Sequence, residues 1–70
     1  MSDWDKENLG QILMGHGDWF DARLLRLISK ADRPEMEKLH QVFPEHVEAV
    51  YERQNGKPFV PSGANLIGSI

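Results

Sequence analysis

The chain has 70 residues, of which 40% are hydrophobic and 27% charged, with a formal net charge of −3 and no cysteine. This length allows one domain at most, and the lack of cysteine excludes disulfides and thiolate ligands for a metal. A negative balance argues against nucleic acid as the main partner, because phosphate binding depends on excess Lys and Arg. With no apolar run of about 18 residues and no signal-peptide pattern, we expect no membrane span and a cytoplasmic location.

The first predicted helix runs from about Asp3 to Met14. Ser2 is a favourable N-cap, and Asp5 follows three residues later, which approximates a capping box. The sequence Gly15-His16-Gly17 is expected to end the helix, since glycine tolerates the left-handed conformation of a helix end.

The second predicted helix, Asp18–Ala31, has two different faces, and Asp18 is expected to be its N-cap. Leu25 lies outside its main apolar stripe, so it either meets another helix or is exposed at an interface. The residues that recur at helical spacing and are expected to face a core are Phe20, Leu24, Leu27, Ile28 and Ala31.

Two further helices are predicted beyond this one. Asp32 is expected to cap the third helix, with Pro34 in its first turn. Pro44 opens a fourth helix that runs to about Gln54 and ends at Asn55-Gly56. The predicted fold class is therefore all-α, with four short helices in a compact bundle formed by residues 1–56.

Residues 57–70 are predicted to form an irregular, apolar C-terminal tail. Prolines and glycines interrupt any regular pattern, yet Phe59, Val60, Leu66 and Ile67 make the segment more apolar than a typical disordered linker. The tail either packs over the helices or adds to a partner as an extended strand.

A basic stripe on the second helix is the nearest feature to a site. At about 100° per residue, Trp19, Arg23, Arg26 and Lys30 fall within a wedge of roughly 80°. Tryptophan and arginine are enriched at binding hot spots, so this surface suits an acidic or aromatic partner. The alternative is that Trp19 tucks under the first helix or the tail, while the arginines are solvated or paired with glutamates of the fourth helix.

The sequence gives little support for catalysis or metal binding. The three histidines are not in an HExxH motif or any other zinc-binding pattern, although Glu37 and His40 share a helix face. Gly15-His16-Gly17 lacks the strand and third glycine of a dinucleotide-binding loop. Four short helices also leave little room for a pocket of about 300 Å³ or more. We therefore expect no enzyme activity, no metal and no cofactor.

Three segments, Gly17–Phe20, Arg23–Asp32 and Phe43–Ala49, resemble small uncharacterised helical proteins encoded by bacteriophages and prophages. The resemblance covers about half of the chain. It implies a helical accessory protein and assigns no role to individual residues. A viral origin would favour a small protein that modulates or inhibits a larger host or phage protein in the host cytoplasm.

These observations predict a non-enzymatic protein-binding module with a protein partner of unknown identity. Trp19, Arg23, Arg26 and Lys30 are the expected contact residues, followed by Phe59 and Val60. One alternative is a nucleic-acid-associated protein that uses the basic stripe. A helix-turn-helix is disfavoured, because acidic residues on its recognition helix would repel phosphates. Another alternative is a homodimeric assembly factor built through Leu25, Trp19 and the tail.

Overall fold

The computed structural model describes residues 1–61, which contain five helices and no strand. The helices are α1 (Asp3–Glu7), α2 (Leu9–Leu13), α3 (Phe20–Lys30), α4 (Arg33–Val42) and α5 (Pro44–Asn55). The all-α class is confirmed, with five helices in place of the predicted four. Within this part of the chain no helix combines the length and the hydropathy of a membrane-spanning segment.

The fifth helix arises because the first predicted helix is interrupted at Asn8. The backbone of Asn8 lies outside the helical region, with φ −110° and ψ 19°. The Asn8 side-chain amide and its backbone N–H both donate to the carbonyl oxygen of Trp4, at 2.8 and 3.0 Å. Asparagine side chains compete in this way for backbone groups, which disfavours them inside helices. The predicted N-cap is confirmed, since Ser2 Oγ accepts from the Asp5 N–H at 3.1 Å.

The turn signals around α4 and α5 are also confirmed. Asp32 Oδ1 accepts from the Glu35 N–H at 3.0 Å and caps α4, with proline in the first turn. Pro44 opens α5, and Gly56 ends it with a positive φ of 71°. At the start of α3, however, the N-cap position belongs to Trp19, which makes no side-chain capping bond, and the predicted cap Asp18 binds Arg23 instead.

The core forms where α5 packs against both α3 and α4 and where α2 packs against α3. In contrast, α3 and α4 make few direct contacts with each other, although only Ala31 and Asp32 separate them in sequence. The largest side chains that are completely buried are Ile12, Leu25, Ile28, Val47 and Val50.

The orientation of α3 differs from the prediction. Leu25, left open between core and interface, is fully buried, whereas Phe20 and Leu27, expected in the core, are 69% and 58% exposed. Leu24 and Ile28 of the predicted stripe are buried as expected, but the centre of the buried face lies about 90° from the centre of that stripe. The apolar arc of α3 is therefore wider than the part of it that α2 and α5 cover.

Residues 57–61 have no regular secondary structure, as predicted for the start of the tail. Phe59 nevertheless belongs to the hydrophobic core and is only 6% exposed. This part of the tail therefore packs over the helices. Leu66 and Ile67, the other apolar pair of the predicted tail, lie outside the described residues.

Candidate functional site

An open apolar groove runs between α3 and α4. It consists of two adjoining cavities of about 420 and 410 Å³, each larger than the sequence led us to expect, which share Leu27 and Leu39 in their walls. The first reaches the turn between the helices at Ala31 and Asp32, with Lys30, Glu35 and Lys38 at its edge. The second is lined by Phe20, Arg23, Leu24 and Phe43. We refer to the two together as the α3–α4 groove.

The groove exists because both of its walls rest on a third helix. α5 packs against α3 and α4 and thereby holds them in place, but no residue of α5 lines either cavity. At one end the rings of Phe20 and Phe43 approach each other with centroids 6.2 Å apart. At the other end the short Ala31–Asp32 connection closes the space.

The charges at the groove are arranged unevenly. Arg23 and Lys30 lie along the α3 side, and Lys38 lies on the α4 side. The two acidic groups at the groove are engaged within the chain, because Asp32 caps α4 and Glu35 lies 3.8 Å from Lys38. The α3 side therefore presents exposed positive charge on a chain whose net charge is −3.

Trp19 lies beside the groove in a separate aromatic cluster. Its ring meets Trp4 edge to face, with centroids 5.5 Å apart, and His16 lies 6.1 and 6.2 Å from the two indoles. The indole also rests on Gly17, where a Cβ atom would come within 2.2 Å of a ring carbon. Trp19 therefore packs against α1, as the alternative interpretation expected. It is also 40% exposed, so part of its side chain is accessible to solvent.

Arg26 is occupied by the backbone of the preceding segment. Its Nη1 donates to the carbonyls of Ile12 and His16 at 3.0 and 3.1 Å, and its Nη2 donates to Gly17 at 2.7 Å. These carbonyls lie at the end of α2 and in the following loop, and that of Ile12 also accepts from the Gly15 N–H at 3.0 Å. The guanidinium therefore holds the loop against α3.

The other two members of the predicted basic stripe remain accessible. Arg23 binds Asp18 through Nη2 at 2.6 Å and Nε at 3.0 Å, but both side chains are largely exposed. Lys30 is exposed and makes no ion pair within residues 1–61. Arg23 and Lys30 thus reach the groove, whereas Trp19 and Arg26 do not line it.

Phe59 and Val60, the secondary contact residues predicted from the sequence, lie elsewhere. The buried Phe59 ring packs against His40 and Tyr51, with centroids 4.9 and 5.2 Å away, and the Arg33 guanidinium lies 4.3 Å from its centre. Arg33 Nη2 also donates to the Val60 carbonyl. Val60 is exposed, but neither residue lines the α3–α4 groove. Burial removes Phe59 from the expected contact surface.

The histidines are placed separately. His40 pairs with Glu48 at 2.8 Å, while Glu37, its expected neighbour, binds Arg33 at 3.3 Å. His46 is buried with its Nε2 3.4 Å from an Asp21 oxygen, without the geometry of a hydrogen bond. Among the described residues no three His, Asp or Glu side chains are arranged to hold a metal ion.

The carboxylate of Glu45 has a shifted pKa. The α-amino group of Met1 donates a hydrogen bond to Glu45, with the nitrogen and Oε1 2.9 Å apart, and Lys6 Nζ lies 3.7 Å from the same oxygen. The hydrogen bond, together with the attraction of Lys6, lowers the pKa of Glu45. This ion pair links the start of the chain to the start of α5, and neither Met1 nor Glu45 lines the groove.

Comparison with known proteins gives no relative: no protein-family model, no curated protein and no solved structure matches the chain. The α3–α4 groove and its charges are therefore the observations from which a function is inferred. The sequence carries one signal for the groove. The apolar residues of α3 cover an arc of roughly 220° from Leu27 to Ala22, wider than the stripe of about 100° typical of a helix on one core.

Proposed function

We propose that the protein is a small, non-enzymatic protein-binding module whose contact surface is the α3–α4 groove. The observation that carries this proposal is the exposure of Phe20 and Leu27 on a helix whose other face is fully buried. Both side chains adjoin Leu39 and Phe43 in one continuous apolar surface. Contiguous exposed apolar surface rimmed by polar residues is typical of protein interaction sites.

In this proposal the predicted contact residues have different roles. Arg23 and Lys30 contact the partner from the edge of the groove, as the basic stripe suggested. Trp19 and Arg26 fix the loop that precedes α3, and Phe59 supports α4 and α5 from the core. The partner is a larger protein that is modulated through occlusion of one of its surfaces. A phage or prophage origin, which the sequence resemblance implies, agrees with such a role.

The nucleic-acid alternative has less support from the contacts. Arg26 already donates to three carbonyls, and Arg23 is paired with Asp18. Of the three cations in the predicted stripe, Lys30 alone makes neither an ion pair nor a side-chain hydrogen bond in the described part of the chain. Neutralising several phosphates needs several available cations.

Site-specific photo-crosslinking tests the proposal. A photo-reactive benzoylphenylalanine replaces Leu27 in the groove, and a control chain carries it at Gln41, which is exposed on α4 and does not line the groove. Both chains are irradiated in a lysate of the organism that encodes them, with and without nuclease. We expect position 27, and not position 41, to yield a crosslinked protein that also binds the purified wild-type chain.

Equal crosslinking from both positions would contradict the proposal, because the partner would then not contact the groove in preference to the rest of the surface. A crosslink only between two copies of this chain would favour the homodimeric assembly factor. Recovery of nucleic acid alone, lost on nuclease treatment, would favour the nucleic-acid alternative.

A further inference from the structure

We infer that the occupant of the α3–α4 groove is a single amphipathic helix with acidic residues flanking its apolar stripe, an inference that rests on the proposed function. Its first support is the length of the groove. From Phe20 to Ala31, α3 rises roughly 16 Å at about 1.5 Å per residue, which is three helical turns. A helix lying alongside would present apolar anchors at intervals of three to four residues over that distance.

The internal shape of the groove supports the same occupant. The two cavities follow one another along α3, with Leu27 and Leu39 common to both. Lys30 in one cavity and Arg23 in the other are about 10 Å apart along α3, which matches anchors at i and i+7 on one face of a helix, so one anchor can enter each cavity. An apolar face that enters a hydrophobic groove is an established mode of helix recognition.

The size of the groove argues against a second copy of this chain as the occupant. A strip roughly 16 Å long and the width of one helix, about 10 Å, fits a helix and little more. A stable dimer interface usually buries about 800 Å² on each partner, well beyond such a strip.

The charges at the edge of the groove determine which charge the residues flanking the apolar stripe of the partner helix should carry. Lys30 has no ion pair among residues 1–61. Both side chains of the Arg23–Asp18 ion pair are exposed, so a partner carboxylate can replace Asp18 at little cost in free energy. Asp32 and Glu35 are engaged by the N-terminus of α4 and by Lys38. Acidic flanks on the partner helix therefore meet available positive charge along α3.

Two synthetic helical peptides test this inference. They share the same leucine stripe at positions i, i+4 and i+7 and differ only in their flanking residues, which are glutamate in one and lysine in the other. Binding to the full chain is measured by fluorescence anisotropy at low and high salt. We expect the glutamate peptide to bind at micromolar concentration and the lysine peptide to bind at least tenfold more weakly, with the difference decreasing at high salt.

Three variants of the chain locate the binding. Leu27→Glu should abolish binding of the glutamate peptide, and Lys30→Glu should weaken it at least fivefold. Gln41→Glu adds a negative charge outside the groove and should leave binding within twofold of wild type. All three positions are exposed, and circular dichroism verifies that each variant stays folded.

Equal affinity for the two peptides would refute the acidic flanks, and no binding of either would refute the helical occupant. An equal loss with Gln41→Glu would refute the location. A concentration-dependent dimer that Leu27→Glu disrupts would assign the groove to a second copy. Failure of the peptides beside a successful crosslink from position 27 would overturn this inference while the proposed protein-binding function stands.

Discussion

Replacing Leu25 and Leu27 by alanine, one at a time, tests the orientation of α3 directly. Both changes remove the same atoms from the same helix, so differences in intrinsic helix propensity cancel in the comparison. Leu25 is completely buried, whereas Leu27 is 58% exposed. The simple hydrophobic periodicity of the sequence predicts the reverse, with Leu27 in the core and its replacement costing about 2–5 kcal/mol.

The expected magnitudes follow from burial. Leu25→Ala leaves a cavity in a packed core and should cost about 2–5 kcal/mol. Leu27 has lost roughly two fifths of its exposure, so with about 1.5–3 kcal/mol for full burial its replacement should cost about 0.6–1.3 kcal/mol. A domain of this length has a total stability of roughly 3.5–10 kcal/mol. The Leu25 change therefore removes a large part of it, and the Leu27 change does not.

Urea unfolding followed by far-ultraviolet circular dichroism measures both effects. With an m-value of about 1 kcal/mol/M, the midpoint should fall by roughly 2 M or more for Leu25→Ala and by about 1 M or less for Leu27→Ala. Loss of the folded baseline in the Leu25 variant would also agree with its burial. Equal shifts, or a larger shift for Leu27→Ala, would refute the orientation of α3 and with it the groove.

Three other changes are informative at separate places. Arg26→Ala should lower the stability measured by thermal unfolding by about 1.5–3 kcal/mol, because three carbonyls lose a charged donor. Arg23→Ala should cost less than about 1 kcal/mol, because the ion pair of Arg23 with Asp18 is exposed. Equal costs would contradict the role of Arg26 in the loop. Gly17→Ala should destabilise the protein more than Gly15→Ala and should alter the near-ultraviolet circular dichroism. Both glycines have a positive φ, but only Gly17 lies under the Trp19 indole. Identical effects of the two changes would mean that the indole is not packed on Gly17. Folding lowers the pKa of Glu45, so the contribution of Glu45 to stability is complete above the ordinary glutamate pKa of about 4.3 and is lost as the pH falls through the lowered value. The Glu45→Gln variant should therefore show a shallower dependence of stability on pH in that range. An unchanged profile would argue against the ion pair.

Local signals in the sequence predicted the helix ends well. Ser2 and Asp32 cap their helices through bonds to a backbone N–H three residues away, and Pro44 and Gly56 mark the two ends of α5. Such signals depend on a few neighbouring residues, so they can be recognised without tertiary information. The break at Asn8 is equally local, but helix propensity alone disfavours asparagine too weakly to place it.

The rotation of α3 and the occupation of Arg26 could not be predicted in the same way. Apolar residues surround much of α3, so periodicity alone does not decide whether Leu25 or Leu27 faces the core. The choice depends on where α2 and α5 lie. Similarly, Arg26 lies on a basic stripe in the sequence, but its partners are carbonyls of a loop whose path only the folded chain determines. Both features depend on contacts between residues that are distant in sequence.

The position of α5 has a consequence for how binding strength can evolve. This helix packs against both α3 and α4 and contributes the buried Val47 and Val50 to the core, yet none of its residues lines the space between them. A change of side-chain volume such as Val50→Ile would therefore alter the separation of the two walls without replacing any residue that lines the groove. In the proposed binding role, variation in affinity among natural variants should accordingly map to α5 as well as to the groove, because substitutions in α5 would change the diameter of helix that the groove accepts.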